Sequence, residues 1–183
     1  MSQVVLIQGS INKESRTASL IQHAAEEMKR AGLKVETLDL RNIQMEFCDG
    51  RPLKEYHPEM QQAFQTVDEA EAFVIGMPVY CYSVSGPLKN FIDITSGAME
   101  NKIAGILCTA GGRQSYMASA DLSNILAYES NVTTLQPIIY THAENYTDQT
   151  LSSDRIKTKI QQLAKHLTQY LKNNSRTFYN SPL

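Results

Sequence analysis

Hydroxyl side chains crowd a short segment near the start of the chain, between a predicted strand and a predicted helix. Ser10, Ser15 and Thr17 lie in the stretch G-S-I-N-K-E-S-R-T, and helical periodicity begins at its end. Free backbone N–H groups and the positive end of a helix dipole suit such a place to an anion. The alternative is that Ser15 or Thr17 only caps the helix. Because three hydroxyls share one loop, the segment favours a bound phosphate.

A second segment, after the third predicted strand, carries residues suited to a flat ring. A buried strand should be followed by polar turn residues, yet this one leads into P-V-Y-C-Y-S. Proline, valine and two tyrosines suit the face and edge of an aromatic ligand, with backbone N–H groups left for its heteroatoms. Ordinary anchoring of the loop by Tyr80 and Tyr82 is the alternative.

A glycine pair follows the fourth predicted strand. Gly111 and Gly112 would let the backbone approach a ligand closely, and Arg113 would place positive charge near an anionic ring. A simple turn would explain the two glycines equally well. Their place after a strand puts them on the same edge as the other two segments.

Strand and helix patterns alternate along the chain and bring these segments together. Apolar runs predict strands at residues 3–8, 35–40, 72–77, 103–109 and 132–140. Helical periodicity covers residues 16–31, 115–129 and 152–172, and two more helices begin at Pro58 and Gly86. Pro78 is expected to end the third strand, and Pro137 to make the fifth an edge strand or a broken one. The pattern predicts an open parallel sheet of order 2-1-3-4-5, with its ligand beyond the carboxyl ends of the strands.

Composition and charge argue against several partners. The 183 residues carry a formal net charge of −2 without a basic stripe, so no nucleic acid is expected to bind. The apolar runs are too short for a membrane span or a signal peptide, and no membrane partner is expected. Three widely spaced cysteines indicate neither a disulfide framework nor a metal site. A reduced, cytoplasmic protein is the expectation.

Rival phosphate-binding classes lack their residues here. The chain has neither G-x-x-x-x-G-K-[ST] nor G-x-G-x-x-G. A phospho-acceptor receiver domain of similar topology needs acidic residues at the ends of strands one and three. At those ends this chain has Gln8-Gly9 and Gly76-Met77, which excludes that class.

With these segments the chain resembles the NAD(P)H-dependent FMN reductases, which include quinone, azo-dye and flavin reductases. The resemblance rests on G-S-I-N-K-E-S-R-T-A-S-L, P-V-Y-C-Y-S-V-S-G-P-L-K-N-F-I-D and T-A-G-G. It implies a flavodoxin-like three-layer α/β/α sandwich over residues 1–172. The polar tail at residues 173–183 lacks periodicity and is expected to be flexible or to pack on a neighbouring subunit.

The resemblance also implies which residues bind FMN. The phosphate would be held by Ser10, Ser15, Arg16 and Thr17. The isoalloxazine would be lined by Pro78, Val79, Tyr80, Cys81, Tyr82 and Ser83, and its other edge by Ala110, Gly111 and Gly112, with Arg113 nearby. Asn12 is a candidate contact where many members carry arginine. Leu122 and Ser123 stand where members that release flavin often carry an extra tyrosine, which favours retained FMN.

The activity implied by the resemblance is that of an FMN-dependent oxidoreductase. NADPH or NADH would give a hydride to bound FMN, and electrons would pass to a quinone, azo compound, free flavin or metal acceptor. The protein would stack the two rings, so no catalytic side chain is required. A homodimer or homotetramer is expected, with a second subunit completing the cleft. The alternative is a non-enzymatic flavodoxin-type carrier, although flavodoxins are typically far more acidic than a net charge of −2.

Overall fold

The computed structural model describes residues 4–179, and strands and helices alternate along most of that length. Within this range the strands are β1 Val4–Gln8, β2 Val35–Asp39, β3 Ala72–Tyr80, β4 Ser83–Val84, β5 Ile103–Thr109, β6 Thr133–Thr134, β7 Ile139–Thr141, β8 Tyr146–Thr147 and β9 Thr150–Leu151. The α-helices are α1 Arg16–Arg30, α2 Pro58–Asp68, α3 Gly86–Thr95, α4 Ala118–Ser130 and α5 Asp154–Tyr179.

A parallel sheet with helices on both faces confirms the predicted fold class. Its order is β2-β1-β3-β5, and the short strands β6 and β7 both pair with the far side of β5. The order matches 2-1-3-4-5 if β6 and β7 together count as the fifth strand. The sheet has seven strands rather than five, because the fifth is split and β4 adds an antiparallel partner to β3.

The third strand does not end at Pro78, and that prediction is wrong. Pro78 pairs with Thr109 of β5 in the parallel register, and the strand continues to Tyr80. Proline lacks an N–H but keeps its carbonyl and an extended backbone, so it is compatible with a strand end. The strand then turns back through Cys81 and Tyr82 into β4.

Two other predicted boundaries, at Pro137 and at residue 172, have different outcomes. The predicted break at Pro137 is confirmed, because β6 ends before it and β7 begins after it. Helix α5 continues beyond the predicted end at residue 172 as far as Tyr179. No glycine or proline interrupts the sequence there, so nothing local forces a stop. Residues 180–183 of the predicted tail lie outside the described range.

Apolar side chains fill both faces of the sheet and fix the positions of the strand ends. One face packs against α2, α3 and α4 around Phe73 and Phe91, and the other against α1 and α5 around Leu6 and Leu163. Each such fully buried side chain contributes about 1.5–3 kcal/mol. No helix within residues 4–179 combines the length and apolar character that crossing a membrane would need.

Candidate functional site

A cavity of about 310 Å³ opens at the carboxyl ends of β1, β3 and β5. It is lined by Ser10, Asn12, Glu14, Ser15, Arg16, Thr17, Pro78, Val79, Tyr80, Thr109, Ala110, Gly111 and Gln149. Each of the three segments singled out in the sequence contributes to this lining. The volume lies at the lower end of the range found for small-ligand sites, about 300–1,000 Å³.

The structure brings together most, but not all, of the predicted site residues. Ten line the cavity: Ser10, Asn12, Ser15, Arg16, Thr17, Pro78, Val79, Tyr80, Ala110 and Gly111. Five do not: Cys81, Tyr82, Ser83, Gly112 and Arg113. For those five a role in binding stays a prediction. Three lining residues were not predicted, namely Glu14, Thr109 and Gln149.

The hairpin between β3 and β4 explains why three of the five lie outside the cavity. Cys81 and Tyr82 form its two-residue turn, and both have left-handed backbone angles, with φ of 49° and 61°. That turn directs the chain away from the end of β3. Ser83 Oγ donates a hydrogen bond to Asp121 Oδ2 at 2.7 Å, and the Tyr82 side chain is 66% exposed.

Arg113 and Gly112 are held on the far side of the glycine loop. The Arg113 guanidinium forms an ion pair with Glu144, and this pair lines a second, neighbouring cavity. The hydroxyl of Tyr140 donates to the carbonyl of Gly112 and accepts a hydrogen bond from the backbone N–H of Ser115. These contacts point Arg113 away from the first cavity.

The first loop, defined as residues 9–15, is braced by the ends of two strands. Buried Gln8 accepts a hydrogen bond from Ser10 N at 2.5 Å and donates to Ser10 O at 2.8 Å. Its amide also donates to Asp39 Oδ1 at 3.0 Å, where β2 ends. Arg41 pairs with Asp39 at 2.5 Å and donates to the carbonyl of Lys13 at 3.3 Å. These hydrogen bonds together fix the backbone of the first loop.

The charge of Asp39 maintains its hydrogen bonds with Gln8 and Arg41. Burial raises the pKa of Asp39, but the hydrogen bonds from Arg41 and Gln8 outweigh burial, and the pKa lies below its usual value of 3.8. The carboxylate is consequently ionised at neutral pH, where it accepts from both neighbours.

Side-chain oxygens of the first loop accept hydrogen bonds from its own backbone. Ser10 Oγ accepts from Asn12 N at 3.3 Å, and Asn12 Oδ1 accepts from Glu14 N at 3.0 Å. Ser15 Oγ accepts from Ala18 N at 3.2 Å, so Ser15 does cap α1. A hydroxyl that accepts still has its hydrogen to donate. Capping and phosphate binding by Ser15 are therefore compatible.

Unpartnered donors at the start of α1 fit an anion. Among residues 4–179, the backbone N–H groups of Arg16 and Thr17 meet no hydrogen-bond acceptor. Arg16 Nε is buried and also lacks a partner in that part of the chain. Its guanidinium lies 5.9 Å from the centroid of the Tyr146 ring, which holds it beside the loop. A phosphate would satisfy these donors and complement the helix dipole.

Glycines shape the cavity in two opposite ways. A Cβ on Gly9 would lie 2.6 Å from the carbonyl oxygen of Gly76. The position after β1 therefore has no space for a side chain. A Cβ on Gly111 or Gly112 would meet no atom within 4 Å. Gly111 therefore presents bare backbone to the cavity, which allows a flat ligand to approach closely.

The unpredicted residue Gln149 enters the cavity from a distant hairpin. It lies between β8 and β9, where Asp148 and Gln149 have left-handed φ values of 46° and 65°. The hairpin is docked on α1 because Leu151 N donates to Ser19 Oγ at 3.1 Å. No local sequence signal reports a contact across so long a separation.

The lining as a whole offers hydrogen-bond donors where α1 begins and an apolar, aromatic wall along the end of β3. Glu14 and Arg16 are its charged members, and Pro78, Val79 and Tyr80 form the apolar wall. Within the described residues, no three His, Cys, Asp or Glu side chains are placed to hold a metal ion. The arrangement suits an anionic molecule that also carries a flat ring.

Comparisons with known proteins show the family to which the chain belongs. The family of NADPH-dependent FMN reductases matches residues 2–146. An NAD(P)H-dependent FAD/FMN reductase of Geobacillus thermodenitrificans (strain NG80-2) is 28% identical over 154 residues, covering 82% of this chain and 83% of the relative. An NADPH:quinone oxidoreductase of Arabidopsis thaliana is 30% identical over 115 residues, covering 60% of this chain and 59% of that protein.

A solved structure supports the fold independently. The flavoenzyme NAD(P)H:(acceptor) oxidoreductase of Paracoccus denitrificans superposes with a TM-score of 0.77 at 18% identity, covering 94% of this chain and 98% of that one. At that identity the likeness shows the flavodoxin-like fold alone, whereas the family match spans most of the sequence. The chain therefore belongs to the NADPH-dependent FMN reductases, oxidoreductases that use NAD(P)H with FMN or FAD as cofactor or substrate.

Proposed function

We propose that this chain retains FMN and uses NAD(P)H to reduce a small acceptor, with a quinone as the first candidate. The observation that carries the proposal is one cavity in which the unpartnered donors at the start of α1 meet the apolar wall of β3 and the bare backbone of Gly111. FMN combines a phosphate with a flat ring, and these surfaces suit its two ends.

The chain's own residues would bind and orient the flavin. Ser15 and Thr17, with the free N–H groups at the start of α1, would hold the phosphate. Pro78, Val79 and Tyr80 would lie against the ring, opposite the backbone of Gly111. When bound, FMN would supply the hydride and electron transfer. The protein contributes positioning, so no general acid or base is assigned.

Retention of FMN is supported by the fixed state of the first loop. Its backbone is held by hydrogen bonds from Gln8 and Arg41, which Asp39 positions, so little ordering entropy opposes binding. Leu122 is fully buried in the core, so its position offers no side chain to a flavin that comes and goes.

The acceptor and the assembly are proposed from the exposed rim. Tyr80 and Tyr82 are 50% and 66% exposed beside the cavity, which leaves room for nicotinamide and acceptor to alternate above the ring. The matching quinone oxidoreductase of Arabidopsis thaliana supports a quinone, with azo compounds, free flavin and metal ions as further candidates. Exposed aromatic rings often mark contacts, which supports a homodimer or homotetramer that covers this rim.

Anaerobic reduction tests the proposal. The purified protein should carry FMN, NADPH should bleach its absorbance, and an added quinone should restore it. Initial rates with both substrates varied should give parallel double-reciprocal lines. Bound FMN that neither NADPH nor NADH bleaches would contradict the proposal and favour a carrier instead.

A further inference from the structure

A second cavity, of about 550 Å³, adjoins the first across the glycine loop. Gly111 lines the first cavity and Arg113 lines the second, so Gly112 alone separates the two linings along the chain. The carbonyl of Gly112 accepts the hydrogen bond from Tyr140, whose ring also lines the second cavity. A ligand long enough to pass over this loop would reach both cavities.

The lining of the second cavity is positively charged although the chain as a whole is not. Arg113, Arg155 and Lys159 contribute cations and Glu144 the one carboxylate of the lining, which leaves a net charge of +2 with His142 neutral. The formal net charge of the whole chain is −2. The lining of the second cavity is therefore more positive than the chain as a whole.

Two of these cations have no internal partner. Glu144 pairs with Arg113, but neither Arg155 nor Lys159 forms an ion pair with any of the described residues. They stand four positions apart on α5, where like charges repel each other. An anion held between them would remove that repulsion, and arginine is especially suited to the oxygens of a phosphate.

An aromatic surface accompanies the charge. Tyr116 lines the same cavity and is 58% exposed, so one face of its ring is open to a ligand. Ile156 adds an apolar contact on α5 beside Arg155. A purine with a phosphate on its ribose would use both kinds of surface, the ring against Tyr116 and the phosphate between the cations.

We propose that the second cavity binds the adenosine 2′-phosphate end of NADPH, with Arg155 and Lys159 at the phosphate and Tyr116 at the adenine. The inference rests on the proposed function, which places the nicotinamide at the first cavity. NADH lacks the 2′-phosphate, so these two cations would set the preference between the two dinucleotides. The negative charge of Glu144 is balanced by its ion pair with Arg113, so its repulsion of the phosphate is reduced.

A kinetic comparison of the two dinucleotides tests the inference on the full-length protein. The double variant Arg155→Gln/Lys159→Gln should raise KM for NADPH about tenfold more than KM for NADH, because a charge-assisted contact to phosphate is lost. The matched control Lys165→Gln/Lys172→Gln removes the same charge from exposed positions of α5 and should keep the wild-type ratio. Equal changes in both KM values would overturn the inference.

Calorimetry separates this inference from the proposed function, because it needs no turnover. Adenosine 2′,5′-bisphosphate should bind the wild type and the control about tenfold more tightly than it binds the double variant, and more tightly than AMP or inorganic phosphate binds the wild type. A wild type that oxidises NADPH yet shows no such preference overturns the inference alone. Binding through Arg155 and Lys159 without flavin reduction supports the second site and overturns the proposed function.

Discussion

The first loop and the β3–β4 hairpin, residues 80–83, border the same edge of the sheet but are stabilised in different ways. In the first loop, Gln8, Asp39 and Arg41 fix the backbone through hydrogen bonds. In the hairpin, two residues other than glycine adopt left-handed angles and large rings stand exposed. Rigid polar bracing suits a group that never varies, such as a phosphate. An exposed hairpin suits acceptors that differ in shape, and the four predictions below test this contrast.

The largest effect is expected from removing hydroxyls of the proposed phosphate site. Ser15→Ala/Thr17→Ala should weaken FMN binding by about 2–4 kcal/mol, at roughly 1–2 kcal/mol for each hydrogen bond to a charged group. Because Ser15 caps α1, the free energy of unfolding should also fall by about 1 kcal/mol. Affinity is measured by quenching of flavin fluorescence on protein shown to be folded.

The matched control for that pair lies on α5. Thr158 and Thr168 each donate to the backbone carbonyl four residues earlier, away from the cavity. Thr158→Ala/Thr168→Ala removes two hydroxyls and should keep wild-type FMN affinity. Equal losses in the two double variants would show that the hydroxyls of the first loop have no special role.

The second prediction concerns Gly9, where the first loop begins and where a single added methyl group should destabilise the protein. Gly9→Ala places a Cβ 2.6 Å from a backbone carbonyl oxygen that cannot easily move, and should destabilise the protein by about 1–3 kcal/mol. Gly111→Ala has open space and should leave the free energy of unfolding unchanged while weakening FMN binding. Urea denaturation of the two variants gives both values, and similar unfolding energies would refute the contrast.

Strain in the hairpin predicts a gain in stability. Tyr82→Gly should raise the free energy of unfolding by about 1 kcal/mol, because glycine adopts the left-handed conformation that costs other residues roughly 1–2 kcal/mol. Tyr82→Ala removes the same ring without that relief. Both variants should reduce acceptor turnover more than FMN retention. If Tyr82→Gly is no more stable than Tyr82→Ala in thermal unfolding, the turn is not strained.

The smallest effect concerns the carboxylate in the brace. The pKa of Asp39 is lowered in the folded protein, so its stabilising contribution is present above its usual value of 3.8 and is lost as pH falls through the lower folded value. Asp39→Asn should therefore be less stable than the wild type at neutral pH, and the difference in the free energy of unfolding should shrink as pH falls below 3.8. If the difference in the free energy of unfolding stays constant as pH falls below 3.8, the charge of Asp39 does not contribute to holding the first loop.

The sequence was informative where the determinants are local and uninformative where they depend on distant packing. Apolar runs indicated β1, β3 and β5, and the first loop was recognisable from its hydroxyls and the helix that follows. The hairpin was not predictable, because Cys81 and Tyr82 carry none of the glycine or asparagine preference of a two-residue turn. From the sequence alone, Pro78 predicts the end of a strand. In the structure it stays in the strand and pairs with Thr109 of β5.

The candidate site residues, too, were predictable where they depend on local sequence and not where they depend on distant packing. The ten predicted residues that line the first cavity lie between β1 and the first turn of α1, at the end of β3, or directly after β5. The topology of a parallel sheet brings those strand ends together. Gln149 was missed because its hairpin reaches the cavity only through docking on α1. The pairing of Arg113 with Glu144 was not predictable, because it depends on a segment more than thirty residues later, and a role of Arg113 in binding stays a prediction.

Comparing FMN with riboflavin tests the central claim most directly, because the two differ only in the phosphate that the first loop is proposed to hold. Flavin-free protein titrated with each, and followed by fluorescence quenching, should bind FMN roughly 30- to 1,000-fold more tightly, which corresponds to about 2–4 kcal/mol. In Ser15→Ala/Thr17→Ala this preference should fall towards unity. Affinities for the two flavins within about a factor of two in the wild type would contradict the assignment of the first loop as the phosphate site.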